Sequence, residues 1–542
     1  MLGIKVDYIM KIKKPWLVAA ILHWIVSFFT DRVIFSYSLF DFSTKKGGML
    51  SLYSWGMKVV FLVLLCFLYQ WIGSGIERIK QKGTARIRFQ FGMVYFCCMM
   101  VLLLCVYPGA WRMDEFGILR DTTTLLPTFW QGYLTSCFYI FSLMILPTPA
   151  GIVVALCFVN SICVAYVCEK ADRVLKLQHK FWLLLPFFAL PILDSNMYPM
   201  RMSVYVFLEM TLAVMFVTAI YEKRRFTISE KVAVVVLTAL CAVWRTEGIY
   251  YLVWIPLVYL FVFFKNSTQK KREIGYVAVI CFAGILVFLP QNLGNKMVSG
   301  DQYEITSIVL PMAPLLTEAD KNREVQDLKA IDTIDKVLDT QIMIKGYAQG
   351  KSGISIFWSE PGLVKTGYTN QEYAEFKNAY HRLIAAYPQV FLKERFDTFI
   401  HSYGILMNTT ELYESQDNSN YVEFREKYKG AGALCAPLRK KVLTLLELGH
   451  FHDNTQKLGV FYLVYSMLPA LGVLVITAVI LLVKKQWAYL LVLLGILGKV
   501  PLIFVTAPSL LFMYYYGIYL TGTVVFIWGC IWCILKTRKK GK

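Results

Sequence analysis

Runs of about 20 mostly apolar residues, the length at which an α-helix crosses a bilayer, recur along most of this chain, and no other feature restricts its fold as much. They lie near residues 15–31, 54–74, 91–109, 150–168, 180–196, 202–221, 231–246, 248–264, 274–292, 459–483, 487–507 and 510–535. A hydrocarbon core offers no water to backbone N–H and C=O groups, so such runs must be helices that satisfy their hydrogen bonds internally. The expected fold is therefore an all-α polytopic membrane protein with about twelve transmembrane helices.

Charge distribution sets the orientation. The net charge is +20, which alone could suggest a nucleic-acid partner. The long polar stretch 292–458 nevertheless holds 21 acidic and 19 basic residues, while the apolar remainder holds 15 acidic and 37 basic. A basic excess confined to short loops between spans marks the cytoplasmic side and excludes nucleic acid as a partner. The loops carry seven clusters: Lys11/Lys13/Lys14, Arg78/Lys80/Lys82/Arg86/Arg88, Lys170/Arg173/Lys176/Lys180, Lys223/Arg224/Arg225, Lys265/Lys270/Lys271/Arg272, Lys484/Lys485 and Lys536/Arg538/Lys539/Lys540. Twelve crossings place all seven inside, with both termini cytoplasmic. The apolar segment 131–149 would break that parity as a thirteenth crossing, so it reads as a helix within or along the outer leaflet, and 107–149 as one continuous external feature.

The same count places 292–458 outside. Helical periodicity at 321–338, 371–388 and 388–407 makes it a mainly helical external domain. The organisation is then an N-terminal two-span segment (1–90), a membrane core (91–291), the external domain (292–458) and a C-terminal three-span segment (459–542). The N-terminus lacks a small-residue cleavage site and reads as an uncleaved first span. The 13 cysteines lie almost entirely in apolar runs, where they act as small hydrophobic residues rather than disulfide partners. The sequons at Asn266 and Asn408 are too short to carry weight.

Several polar residues sit where such residues are costly. Asp114 and Glu115 follow the helix-breaking Tyr107-Pro108-Gly109 at the water–lipid boundary. They are either solvated loop acids or, among Trp111, Phe116, Phe129, Trp130 and Tyr133, a partly desolvated pair able to act as a general base. Arg245 and Glu247 occupy the tight turn WRTEG between two spans. They either pair with each other, or Arg245 faces a phosphate, whose oxygens a guanidinium can hold bidentately. Arg201, in DSNMYPMRMS with Asp194 and Tyr198, lies at the same depth, as a snorkelling side chain or a second phosphate contact. Glu209 and Lys499 are ionisable residues inside spans, where a partner is required. Tyr514, Tyr515, Tyr516 and Tyr519 crowd the last external turn, as an aromatic belt or as a sugar or prenyl contact.

Taken together, the loop YPGAWRMDEFGIL, the half-inserted helix 131–149, the arginine-bearing turns DSNMYPMRMS and WRTEG and the tyrosine-rich last turn resemble the GT-C class of membrane glycosyltransferases. The likeness is closest to a bacterial group related to the protein mannosyltransferase and aminoarabinose transferase branch. It covers about residues 91–290 and, loosely, the last three spans. The resemblance implies a GT-C-like bundle in the bacterial plasma membrane, in contact with membrane lipids, that transfers sugar, with inversion, from a polyprenyl-phosphate donor to an envelope glycan, lipid or protein acceptor. It implies Asp114 as the catalytic carboxylate with Glu115 as neighbour or substitute, Arg201 and Arg245 as donor phosphate contacts, and Arg112, Asp194, Tyr198, Glu247 and Tyr515 as further cavity residues. A divalent metal is compatible with this chemistry, and no cofactor is assigned from the sequence. The chain departs from the mannosyltransferase pattern in inserting its soluble domain between spans nine and ten instead of at the C-terminus, which leaves the acceptor open. A lipid-linked oligosaccharide flippase or transporter, and a non-catalytic membrane scaffold displaying the external domain, are the alternatives.

Overall fold

The computed structural model describes residues 13–80, 83–177, 179–264, 268–402, 419–428, 430–446 and 464–540. Lys11, Lys82, Lys265 and both sequon asparagines lie outside them. From the N-terminus, α1 (Lys14–Thr30) and α2 (Lys45–Lys80) are followed by α3 (Thr84–Cys105) and the short α4 (Met113–Thr122). Next come α5 (Tyr133–Ile145), α6 (Pro149–Leu175), a 3₁₀ stretch Lys180–Phe188 with α7 (Leu190–Met197), and α8 (Arg201–Tyr221). After α9 (Ile228–Trp244), a 3₁₀ turn Thr246–Tyr250 leads into α10 (Tyr251–Phe263) and α11 (Lys270–Ser299). The polar region forms α12 (Gln302–Thr306), α13 (Val309–Asn322), α14 (Val325–Asp335), α15 (Thr340–Ala348), α16 (Gly353–Ser359), α17 (Asn370–Ala386), α18 (Pro388–Ile400), α19 (Ser419–Lys427) and α20 (Ala436–Leu446). The chain finishes in α21 (Leu468–Val483), α22 (Trp487–Leu497), α23 (Lys499–Thr506) and α24 (Tyr516–Lys540). Among the described residues the only extended pairing is the isolated bridge Leu338–Val364.

Nine helices among the described residues are long and apolar enough to cross a membrane: Lys14–Val33, Lys45–Glu77, Thr84–Cys105, Pro149–Leu175, Arg201–Tyr221, Thr246–Phe263, Lys270–Val298, Trp487–Thr506 and Phe512–Ile534. Three expected crossings take other forms. The 180–196 stretch is divided between the 3₁₀ segment, which contains Pro186, and α7, whose second residue is Pro191, because a proline supplies no N–H to a continuous α-ladder. The helix read at 231–246 is α9, 17 residues long, and the described part of 459–483 is α21, 16 residues long. The segment read as non-crossing contains α5, whose 13 residues extend about 20 Å against the roughly 30 Å of a bilayer core.

The chain divides into two compact units. The first comprises Met1–Val287, Met407–Leu448 and Leu520–Lys542. Its centre is α6 and α8, whose apolar windows are 67% and 78% buried, whereas those of α1 to α3 are about one-fifth buried and show their apolar faces outward, as lipid-facing helices do. Local sequence explains several boundaries: Pro149 starts α6, where its missing N–H is not needed. The Thr227/Glu230 capping box starts α9.

The second unit comprises Phe288–Leu406 and Gly449–Tyr519. Its core gathers Val309, Met312, Leu316, Ile334, Phe376 and Leu383 from α13, α14 and α17. Thr369 and Glu372 form the capping box of α17. The division differs from the 292–458 boundary read from polarity. Among the described residues of that stretch, α19 and α20 belong with the first unit, on whose elements they pack, and polarity alone does not reveal where such helices dock.

Candidate functional site

The loop after α3 is shaped by its glycine and by two backbone anchors. Gly109 has φ +111°, and a Cβ there would stand 2.8 Å from Val153 Cγ2 and 2.9 Å from the Met197 carbonyl, so only glycine fits. Ala110 N–H donates to the Met197 carbonyl at 2.8 Å, and Arg439 Nη2, from α20, donates to the Gly109 carbonyl at 3.1 Å. Trp111 is fully buried, stacks on Phe116 at 6.0 Å and meets Phe424 of α19 at 5.1 Å. These contacts set the phase of α4, which begins directly afterwards.

Two consecutive carboxylates in the first turn of α4 therefore have different surroundings. Asp114 is exposed, whereas Glu115 is 3% exposed. Beside Glu115 lies Arg112, 2% exposed, with its guanidinium carbon 4.1 Å from the centre of the Tyr198 ring and Nη2 3.5 Å from the Asp194 carboxylate. The Tyr198 side chain lies close enough to the Glu115 carboxyl for the two to interact electrostatically. Burial, and then the negative charge of Asp114, push the Glu115 carboxyl up to about 8, against the opposing pull of Tyr198 and Arg112. The Tyr198 phenol is held well above its ordinary value, first by burial and then by the charge of Glu115. It is thus kept as a hydrogen-bond donor. Glu115 Oε2 has no hydrogen-bond partner among the described residues.

Arg201 and Arg245 form a second group. Arg201 is the first residue of α8 and donates through Nη1 to the Gln131 carbonyl at 3.2 Å. Arg245, 3% exposed, immediately follows α9 and donates through Nε to Glu247 Oε1 at 2.8 Å. Glu247 also feels the charge of Arg201. The turn is tight because a Cβ on Gly248 would stand 1.9 Å from the Cys241 carbonyl oxygen. Tyr198 and Arg201 share the short link between α7 and α8, and that link is pinned where the Tyr139 hydroxyl donates to the Pro199 carbonyl at 2.6 Å. One four-residue link thus joins the acidic group to the arginine group. Arg112, Glu115, Asp194 and Tyr198 come together, as do Arg201, Arg245 and Glu247, whereas Tyr515 belongs to the second unit.

Glu209 in α8 is buried and accepts a hydrogen bond from the Tyr251 hydroxyl. Lys499 is buried in the second unit. Reading the sequence missed Tyr139, Arg439 and Phe424 as supports of the loop. Arg439 and Phe424 lie far along a polar stretch, where no local pattern points to residue 109, while Tyr139 is one aromatic among many in an apolar run. A better signal was available for Asn160 and Asn196, polar residues within apolar helices. The Asn160 amide donates to Asn196 Oδ1 at 2.7 Å, and the Asn196 amide donates to the Tyr95 hydroxyl at 2.8 Å, which fixes α7 beneath the site.

Among the described residues no three or more His, Cys, Asp and Glu side chains gather as potential metal ligands. Comparison of the chain with models of protein families, with curated proteins and with solved structures finds no match. The functional reading accordingly rests on the geometry above.

Proposed function

We propose that this polytopic protein, with about twelve crossings, is a GT-C-type glycosyltransferase of a bacterial plasma membrane. It transfers a sugar from a polyprenyl-phosphate carrier to a cell-envelope or extracellular acceptor on the outer face. The observation that supports this reading is the carboxylate pair at the start of α4, one exposed and one buried, linked through residues 198–201 to a pair of arginines. Asp114, the exposed member, is within reach of an acceptor and takes its hydroxyl proton as the oxygen attacks the anomeric carbon. The bond from that carbon to the carrier phosphate breaks, and Arg201 and Arg245 stabilise the charge left on the phosphate. Glu247 holds the guanidinium plane of Arg245 through Nε, and Glu115 with Tyr198 and Arg112 fixes the turn that presents Asp114.

The test is a transfer assay with purified protein and a polyprenyl-phosphate sugar. Asp114→Asn keeps shape and abundance but removes the proton acceptor, so the rate should fall about 10²- to 10⁴-fold. Full activity in the Asp114→Asn/Glu115→Gln double variant, with normal abundance, would remove this loop from the mechanism.

A further inference from the structure

The second unit contains a buried cation that forms no ion pair among the described residues. Arg395, in α18, is 0% exposed. Its Nη1 donates to the Ala507 carbonyl at 2.9 Å and to the Val505 carbonyl at 3.3 Å, where the chain leaves α23. This contact alone would be a structural clasp, a cation on a helix C-terminus, where the helix dipole favours positive charge. The clasp accounts for only one corner of the guanidinium. Nε and Nη2, which form the opposite edge of the fork, are buried and have no hydrogen-bond partner among the described residues. The adjacent acid, Glu394, attracts Arg395 electrostatically but is not within ion-pair distance of it. It accepts from Thr398 Oγ1 at 3.4 Å, and burial pushes its carboxyl above the ordinary range. The Tyr515 hydroxyl is likewise buried without a partner among the described residues, and its ring meets Phe399, four residues beyond Arg395 on α18, at 5.3 Å.

A buried guanidinium with bare donors is costly unless an anion completes it. The Nε/Nη2 edge is the planar pair that takes two oxygens of one oxyanion, and its orientation is already fixed by the two carbonyls on Nη1. The location narrows the anion. Ala507 follows the end of the apolar span Trp487–Thr506, whose other end carries Lys484 and Lys485, so Arg395 lies at the membrane boundary opposite that basic cluster. Apolar neighbours surround it: Phe399 meets Tyr515 at 5.3 Å and Phe504 at 5.8 Å, and Met467 and Ile503 are buried in the same cluster. Phosphate is the oxyanion that a membrane presents at that depth. We infer that Arg395 and Tyr515 form a phosphate-binding site, separate from Arg201 and Arg245, that takes the phosphate of a lipid headgroup or a free phosphate by the same bidentate contact. The inference does not depend on the transfer reaction proposed above.

Native mass spectrometry of the full-length protein in detergent tests it, with phosphatidic acid and inorganic phosphate titrated separately and any phospholipid retained from purification counted as bound. Arg395→Lys keeps a charge and a donor for the carbonyls but loses the fork, and should weaken binding about ten- to hundredfold; Tyr515→Phe, short of one donor, should weaken it about tenfold. An Arg201→Ala/Arg245→Ala variant should keep the Arg395-dependent adduct, even where it loses the phosphate contact proposed for those two arginines. Binding of phosphatidic acid alone assigns the site to lipid, and binding of both probes to phosphate from either source, provided the Arg395 dependence holds. Equal occupancy in wild type, Arg395→Lys and Tyr515→Phe would overturn the inference, as would no phosphate adduct in the wild type or a loss confined to the Arg201→Ala/Arg245→Ala variant.

Discussion

At the scale of single residues, the contrast between Asp114 and Glu115 has a consequence for stability. Unfolded, Glu115 titrates near 4.5, and folded it is pushed up to about 8. Between those pH values the folded chain holds a proton that the unfolded chain has lost, so stability falls as pH rises through the window and levels off above it. The detergent-solubilised wild type should therefore lose melting temperature between about pH 5 and pH 8. Glu115→Gln, uncharged throughout, should lose less and should melt above the wild type at pH 8.5. Parallel melting curves for the two proteins across that range would show that Glu115 is not a buried protonated acid. The sequence could mark this pair as unusual but not divide its roles, because neighbouring positions on a helix point about 100° apart. Which one faces inward depends on how Trp111 and Phe116 pack, and Phe424, more than 300 residues away in sequence, takes part in that packing.

At the scale of elements, the first hairpin contains an ion pair that neither α1 nor α2 could hold alone. Lys58 and Asp31 are both fully buried, with Nζ 2.5 Å from Oδ2. Lys58 Nζ also donates to Ser27 Oγ at 2.9 Å and lies 4.5 Å from the centre of the Phe28 ring. The Tyr37 hydroxyl donates to Asp31 at 3.2 Å, and the Trp24 indole donates to the Lys58 carbonyl at 2.8 Å. Removing one member of such a pair leaves an uncompensated charge, which costs about 3 to 5 kcal/mol. Lys58→Met should accordingly lower the melting temperature strongly, and adding Asp31→Asn should restore part of the loss. A Lys58→Met protein that melts with the wild type would show that the pair does not hold the hairpin. Apolar runs revealed α1 and α2 themselves, but a lysine in a span looks like a local exception until its partner at the end of the preceding helix is known. The same limit hid the break at 180–197: apolarity reads that stretch as continuous, and only Pro186 and Pro191 signal that the α-ladder cannot be.

For the whole molecule, orientation depends on the elements that are not long uninterrupted α-helices. Nine crossings alone would place the termini on opposite sides, so the remaining three apolar segments decide the parity. The 3₁₀ stretch Lys180–Phe188, at about 2.0 Å per residue, and α7, at about 1.5 Å per residue, together extend about 30 Å if aligned, enough to cross the hydrocarbon core. The 17 residues of α9 extend about 26 Å, and α21, about 24 Å, is preceded by further apolar residues in the sequence. If all three cross, the count is twelve and every Lys/Arg cluster falls on one side, as the preference for positive cytoplasmic loops requires. On that count the helices α13 to α18 would be external. Lys329, on the exposed face of α14, offers a probe position. With the exposed native Cys435 first changed to Ser, a Lys329→Cys protein should react with a membrane-impermeant maleimide in intact cells, and permeabilisation should add little. Labelling that appears only after permeabilisation would place this domain inside. The donor side, the direction of the carboxylate pair and the outer-face reaction would then all have to be abandoned together, because they share the one orientation.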